Sequence, residues 1–296
     1  MLLFAREWPV LLVDDDPDIL AISRLAMRGV EVDGVPIALH TATSKAEAVE
    51  LLNGPLSGAV APHVAAAFID VVMETDHAGL ELCQYIREKM NNRLMQIYIR
   101  TGQPGVAPER SVIDRYDVNG YFSKVELTED KLYSLLKAAV RQFRFTSMAL
   151  AEFNVVSGAL AHASGRESLS EFLNGFLRQL PLDGSGTPRH DYQRRLCLLV
   201  GDEMVAGEGY TLAEAIAERE RLVAKGLQPL GAPGDGYVVD GHDMVIKAAA
   251  TPAHPDTYHL SNSPSVAAPV DVLLLEMFSH SIATLTTSAR TPVAGR

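Results

Sequence analysis

Apolar and polar positions in the first half of the chain fall into short apolar runs separated by helix-length amphipathic segments. Runs near residues 10–13, 37–41, 64–69, 97–101 and 120–124 read as strands, and their alternation with helical segments predicts a parallel sheet with right-handed crossovers. The run from Val64 to Ile69 is apolar throughout, as expected of a strand buried on both faces, and it stops at Asp70. Ligands collect where parallel strands end, so the residue closing each run is a candidate for chemistry. Val10–Val13 closes on Asp14, Asp15 and Asp16, with Pro17 suited to the first turn of a helix. A single Asp suffices as cap, and Asp16 takes that role, which leaves Asp14 and Asp15 unexplained by capping. The fourth run closes on Thr101 and the fifth on Lys124. Ser44-Lys45-Ala46-Glu47 reads as a capping box opening a helix that Gly54 closes. Leu80, Cys83, Ile86 and Met90 form one stripe of a helix from Leu80 to Met90, and the Gly- and Pro-rich stretch from Thr101 to Tyr116 reads as a mobile switch loop before a short helix.

The pattern then changes. Thr128 caps a helix with Glu129 and Asp130 in its first turn, and no breaker follows until Gly158. Leu132, Leu136, Ala139, Phe143, Thr146, Leu150, Phe153, Ser157 and Leu160 recur at spacings of four and three, a seam of about four heptads. Either this seam pairs with a second copy, or its Leu132–Phe143 half packs on the preceding sheet and the remainder opens the next core. Farther on come an amphipathic segment from Leu169 to Leu180, a Gly/Pro-rich loop, a hairpin pattern around Gly201-Asp202-Glu203, and a helix from Leu212 to Lys225. Strands near 236–239, 244–248 and 257–260 and a helix from Pro269 to about Thr287 complete the chain.

Composition narrows the function classes. A chain of 296 residues accommodates about two domains. An excess of 37 acidic over 26 basic side chains, net −11, argues against a nucleic-acid surface, which needs clustered Lys and Arg. Cys83 and Cys197 lack metal spacing and fit buried thiols in a reducing compartment. Met1–Val13 is broken by Arg6 and Glu7, so neither a signal peptide nor a membrane span is expected, and cytoplasm is the default location.

The succession of acidic pair, single acid, hydroxyl and lysine, each closing an apolar run, resembles the receiver domain of two-component response regulators over roughly residues 8–140. The resemblance implies a flavodoxin-like, doubly wound five-stranded parallel sheet. It implies that Asp14, Asp15 and Asp70 hold Mg²⁺, that Asp70 accepts the phosphoryl group, that Thr101 is the responding hydroxyl, Lys124 the lysine, and Tyr121 the aromatic switch residue. The chain departs from the common pattern in a long loop from Val71 to Gly79 with Glu74 in place of proline, and in Val125 after Lys124. A cis bond costs about 3–4 kcal/mol before a residue other than proline, so Lys124-Val125 is expected to be trans and Lys124 to approach Asp70 along a shifted path. Independently of the resemblance, two carboxylates about 4 Å apart repel by roughly 4 kcal/mol at an effective dielectric of 20, so three converging acids call for a cation or a proton.

The element order of the second half resembles a GAF-like sensory domain, and in particular a domain of unassigned function that follows receivers of this long-loop variety, often ahead of an HD-type cyclic-dinucleotide phosphodiesterase. The expected organisation is a receiver over 1–127, a junction helix over 128–162 and a GAF-like α+β domain over 163–296. The resemblance implies a bacterial response regulator that is not itself an enzyme. Its expected partners are a histidine kinase or histidine phosphotransfer protein and a second copy through the junction helix, with no nucleic acid and no membrane. The alternative is the regulatory part of a cyclic-dinucleotide phosphodiesterase lacking its catalytic domain. Gly201-Asp202-Glu203-Met204 lacks the preceding glycine of a diguanylate-cyclase signature, and His190-Asp191 and His242-Asp243 lack the further ligands of a metal phosphodiesterase.

Overall fold

The computed structural model describes residues 7–54, 64–102, 109–126, 128–162, 166–179, 195–231, 233–252, 254–262 and 269–288. The chain divides into two compact units, one running to Ser147 and the other from Met148.

The first unit contains β1 (Trp8–Val13), α1 (Pro17–Ala26), β2 (Glu31–Val32), β3 (Val35–Ala42), α2 (Lys45–Asn53), β4 (Ala66–Asp70), α3 (Ala78–Gln84), β5 (Gln96–Thr101), α4 (Glu109–Tyr116) and β6 (Gly120–Ser123). Its sheet has the order β2-β3-β1-β4-β5-β6. The last five are parallel, as the apolar runs predict, and the order reverses between β3 and β4 on either side of β1. A crevice at the carboxyl ends of β1 and β4 follows from that reversal. The short β2 is antiparallel to β3 and was not expected. It arises from Asp33-Gly34, both at positive φ (53° and 76°), which form a two-residue hairpin turn of the kind that favours Asp-Gly.

Alternate residues of the buried strands face opposite cores. Leu11, Val13, Ile69, Ile97 and Ile99 share one core with Leu52 of α2 and with Leu82 and Cys83 of α3. Val10, Leu12 and Phe68, of opposite parity, are equally buried. The expected helix from Leu80 to Met90 is α3 followed by a π-helical stretch, Tyr85–Lys89. Asp16 caps α1, accepting from the N–H groups of Asp18 (2.9 Å) and Ile19 (3.4 Å). The capping box at Ser44 is half formed: Ser44 accepts from Glu47 N–H, but the Glu47 carboxylate turns to Thr43. Residues 103–108 of the expected switch loop lie outside the described residues, and Glu109–Tyr116, within that stretch, is helix α4.

Helix α5 (Glu129–Ala161) runs through the division between units. In the first unit its Leu132, Leu136, Ala139 and Phe143 are buried. Arg144, an ion-pair partner of Asp33 (3.2 Å), lies over the Trp8 ring at 5.8 Å. The helix does not break at Gly158: a Cβ there would lie 2.3 Å from the Phe172 ring, so glycine serves a close approach.

The second unit adds α6 (Arg166–Gln179), β7 (Arg195–Val200), β8 (Glu203–Glu208), α7 (Leu212–Val223), β9 (Gln228–Pro229), β10 (Gly236–Asp240), β11 (Asp243–Ala248), β12 (Thr257–Asn262) and α8 (Pro269–Ser288). Its six strands form a sheet of order β8-β7-β12-β11-β10-β9, antiparallel wherever pairing is described. Val155 of α5, Leu169 of α6 and Ile282 of α8 share a core with Leu198 and Ile246, while Ala215 and Leu222 of α7 pack with Leu199 and Val245 on the opposite face. The loop 181–188, His190-Asp191 and the tail beyond Ser288 lie outside the described residues. Gly201-Asp202 is the β7–β8 turn, with Asp202 paired to Arg219 at 2.8 Å. Both cysteines are buried, and burial pushes each thiol up to about 12. Among the described residues no helix is long and apolar enough to cross a membrane.

Candidate functional site at the carboxyl edge of the parallel sheet

The ends of β1, β4 and β6 bring four of the singled-out side chains into one place. Asp14, just past β1, is fully buried, and Asp70, the last residue of β4, is 4% exposed. The Lys124 ammonium bridges them, 2.9 Å from Asp14 Oδ2 and 2.7 Å from Asp70 Oδ2. Asp15 is exposed, yet an oxygen of its carboxylate lies within 4.8 Å of oxygens from both Asp14 and Asp70. Thr101 is buried at the end of β5, and its hydroxyl shares a hydrogen bond with the Tyr121 phenol. Tyr121 is already turned inward in this structure, at 9% exposure. No peptide bond among the described residues is cis, so Lys124-Val125 is trans, and Lys124 reaches Asp70 without a proline-type turn.

A residue not singled out as part of the site completes it. Arg100, 3% exposed, donates from Nη2 to Asp14 Oδ2 at 2.8 Å and from Nη1 to Ser23 at 3.3 Å. Its signal was an arginine inside an apolar strand, a position where a charge needs a partner. The positive charge that the converging acids call for is supplied partly from within the chain, because Arg100 and Lys124 offset the two buried carboxylates. Replacing Arg100 by Met is expected to cost about 3–5 kcal/mol in urea unfolding, because it breaks a buried ion pair, and a companion Asp14→Asn change should restore much of the loss. A single variant as stable as wild type would contradict this account of the pair.

The electrostatics favour a proton or a metal at Asp70. Burial pushes the Asp70 carboxyl above its ordinary range, and the Asp14 charge adds to that, together outweighing the opposing pull of Lys124. Burial works against the Lys124 ammonium, but its bonds to Asp70 and Asp14 outweigh that and hold its pKa above the ordinary value. The two partners thus shift the same way, because the carboxylate is the more deeply buried. Burial lowers the Arg100 pKa against the pull of Asp14, and burial raises that of Tyr121. Asp70 Oδ1 is buried without a hydrogen-bond partner among the described residues. An oxygen-only donor set with an orphaned carboxylate oxygen fits a hard divalent cation such as Mg²⁺.

The loop after β4 is ordered by its own acid. Glu74 accepts from the Lys45 N–H at the start of α2 (3.0 and 3.3 Å), a favourable place for a carboxylate, and Gly79 N–H donates to the Val71 carbonyl at 3.1 Å.

No protein-family model matches the chain. Over 178 residues, 58% of its length, it is 39% identical to 3'3'-cGAMP-specific phosphodiesterase 2 of Vibrio cholerae, and it spans about a third (33%) of that protein. Among solved structures it is similar to a response regulator receiver domain protein from Clostridium thermocellum, with 17% identity, TM-score 0.36, and coverage of 46% of this chain and 97% of that one. It is also similar to the signal receiver domain of an HD domain-containing protein from Pseudomonas fluorescens, with 20% identity, TM-score 0.37, and coverage of 47% and 98%. On its own strand order, with the acids and the lysine at the carboxyl edge, the first unit is a receiver-like doubly wound α/β fold.

Proposed function

We propose that the chain is a phosphorylation-controlled response regulator with Asp70 as phospho-acceptor. The observation that carries this reading is the Lys124 ammonium held 2.7 Å from Asp70 and 2.9 Å from Asp14 at the switch point of a parallel sheet. A carboxylate oxygen of Asp70 forms the bond to phosphorus as the bond from phosphorus to the donor's leaving atom breaks. Lys124 offsets charge on the phosphoryl oxygens, and the Thr101 hydroxyl leaves Tyr121 to bond one of them. Asp14, Asp15 and Asp70 would hold Mg²⁺, which neutralises the transferring group. The natural donor in this reading is a phosphohistidine of a kinase or phosphotransfer protein. Breaking the Thr101–Tyr121 bond is the local two-state change that carries the signal, and the second unit is the GAF-like receiver of it. Treating the chain with a small phosphodonor and Mg²⁺ and weighing the product tests the proposal; an unchanged mass would leave a docking role only.

A second copy is the partner we assign to the far half of α5. Leu150, Phe153 and Leu160 of the seam are 46%, 72% and 64% exposed, unlike the buried Leu132–Phe143 half. Phe153→Glu should convert a dimer to a monomer in equilibrium sedimentation, and a wild type that is monomeric with and without phosphodonor removes the pairing.

The likeness to the Vibrio cholerae phosphodiesterase favours a second reading, in which this chain is the regulatory part of such an enzyme. In that reading the chain alone leaves 3'3'-cGAMP intact. Hydrolysis by the purified chain would place a catalytic centre within these residues.

A further inference from the structure

A second polar cluster lies wholly in the second unit. Asp235, directly before β10, and Glu276 of α8 are 6% and 5% exposed, and His280 follows Glu276 by four residues on the same face of α8. One ligand atom from each of the three lies within 4.8 Å of the others. His280 Nε2 is 2.8 Å from Asp235 Oδ2, and Asp235 Oδ1 accepts from the Ala249 N–H at 2.7 Å, which fixes the carboxylate's orientation. Asp235 and Glu276 also share a hydrogen bond.

Two contacts of this cluster need a proton or a cation. His254, 5% exposed, points Nδ1 at the Pro255 carbonyl (2.9 Å), an acceptor only, so its Nδ1 carries the hydrogen and its Nε2 is bare in the neutral ring. His280 Nδ1, 3.5 Å from that nitrogen, is then the donor, so the 2.8 Å contact of its Nε2 with Asp235 needs a second ring proton or a cation in its place. The Asp235–Glu276 contact likewise needs a proton or a cation between the two carboxylates. One divalent ion placed among the three side chains would take the place of both protons and balance both carboxylates.

From this geometry we infer a binding site for a divalent transition-metal ion, Zn²⁺ or a metal of similar preference, with Asp235, Glu276 and His280 as ligands and His254 orienting His280 from behind. One imidazole and two carboxylates suit Zn²⁺, and three protein ligands leave a coordination position for water or a further ligand. A ligating imidazole that gives its other N–H to a fixed acceptor is the usual support for such a site. His280 also lines a surface cavity of about 370 Å³ with Leu160, Ser281 and Thr284. The site does not depend on the phosphorylation reading.

The test is Co²⁺ titration of the untagged, chelator-stripped full chain in excess Mg²⁺, read by visible absorption, with Zn²⁺ as competitor. One equivalent per chain is expected. Glu276→Gln and His280→Ala should weaken it by about 100-fold or more, and His254→Ala by about 10–100-fold. Asp70→Asn should leave it unchanged. X-ray absorption of the Zn²⁺-loaded wild type, independent of whether any variant folds, should show nitrogen and oxygen neighbours at about 2.0–2.2 Å with imidazole scattering. Absence of saturable uptake in the wild type, wild-type affinity in both ligand variants, loss of the equivalent in Asp70→Asn, or a spectrum without imidazole would each overturn the site.

Discussion

Asp70→Asn should abolish phosphorylation outright and, without Mg²⁺, should melt at a higher temperature than wild type at neutral pH. The first effect follows from removing the nucleophile. The second follows from the sign of the Asp70 shift. Its folded pKa is raised, chiefly by burial, so the folded state binds that proton more tightly than the unfolded chain does. The associated stability is complete below the unfolded pKa and is lost as pH rises through the folded value, so at neutral pH the ionised carboxylate is a cost that Asn lacks. Mg²⁺ should reverse the ranking. At ten times its dissociation constant a cation specific for the folded state adds about 1.4 kcal/mol, roughly 3–6 °C in melting temperature for a unit of this size, and only wild type should gain it. Calorimetry on both proteins at neutral and mildly acidic pH, with and without Mg²⁺, checks this. A wild type that melts above the variant in the absence of metal would mean that Lys124 already compensates Asp70 fully.

Strand positions were legible because each apolar run had one structural reading. β4 and β5 are buried at every position, as central strands of a sheet covered on both faces are. The acids at the ends of β1 and β4 were legible for the same reason, since the order of runs fixes which ends share an edge. Arg100 was harder, because its partner Asp14 is 86 residues away and nothing local marks the pair. Asp33-Gly34 carried a recognisable hairpin signal, but the two-residue strand before it was too short for alternation to register. The departures at Glu74 and Val125 looked like losses from a familiar pattern. In the fold Glu74 serves the N-terminus of α2, and Val125 is 89% exposed while Lys124 still reaches Asp70. Of the cluster in the second unit, only the four-residue spacing of Glu276 and His280 was visible, and without Asp235 that spacing is common on any helix.

Gly79→Ala should be among the most damaging single-methyl changes in the protein, although alanine is the better helix former. In an exposed helix the exchange stabilises by about 0.5–1 kcal/mol, because glycine loses more backbone freedom on folding. Here the first turn of α3 lies against the end of β4, and a Cβ on Gly79 would fall 1.8 Å from the Asp70 carbonyl oxygen and 3.1 Å from Ile69 Cγ2. The opposing atom is backbone and has no rotamer through which to yield, so either α3 or the end of β4 must move. Overpacking against side chains costs about 1–3 kcal/mol, and the backbone clash should put Gly79→Ala at the top of that range or beyond it. Whichever element moves, Asp70 loses its place relative to Lys124 and Asp14, so phosphate uptake should fall together with stability. Gly175 in α6 provides the control, since a Cβ there meets nothing within 4 Å. Gly175→Ala should raise stability by up to about 1 kcal/mol and leave phosphate uptake alone. Urea unfolding and phosphodonor labelling of the two variants separate these expectations, and a Gly79→Ala protein as stable and as readily labelled as wild type would show that the approach of α3 to Asp70 is not what sets the acceptor's position.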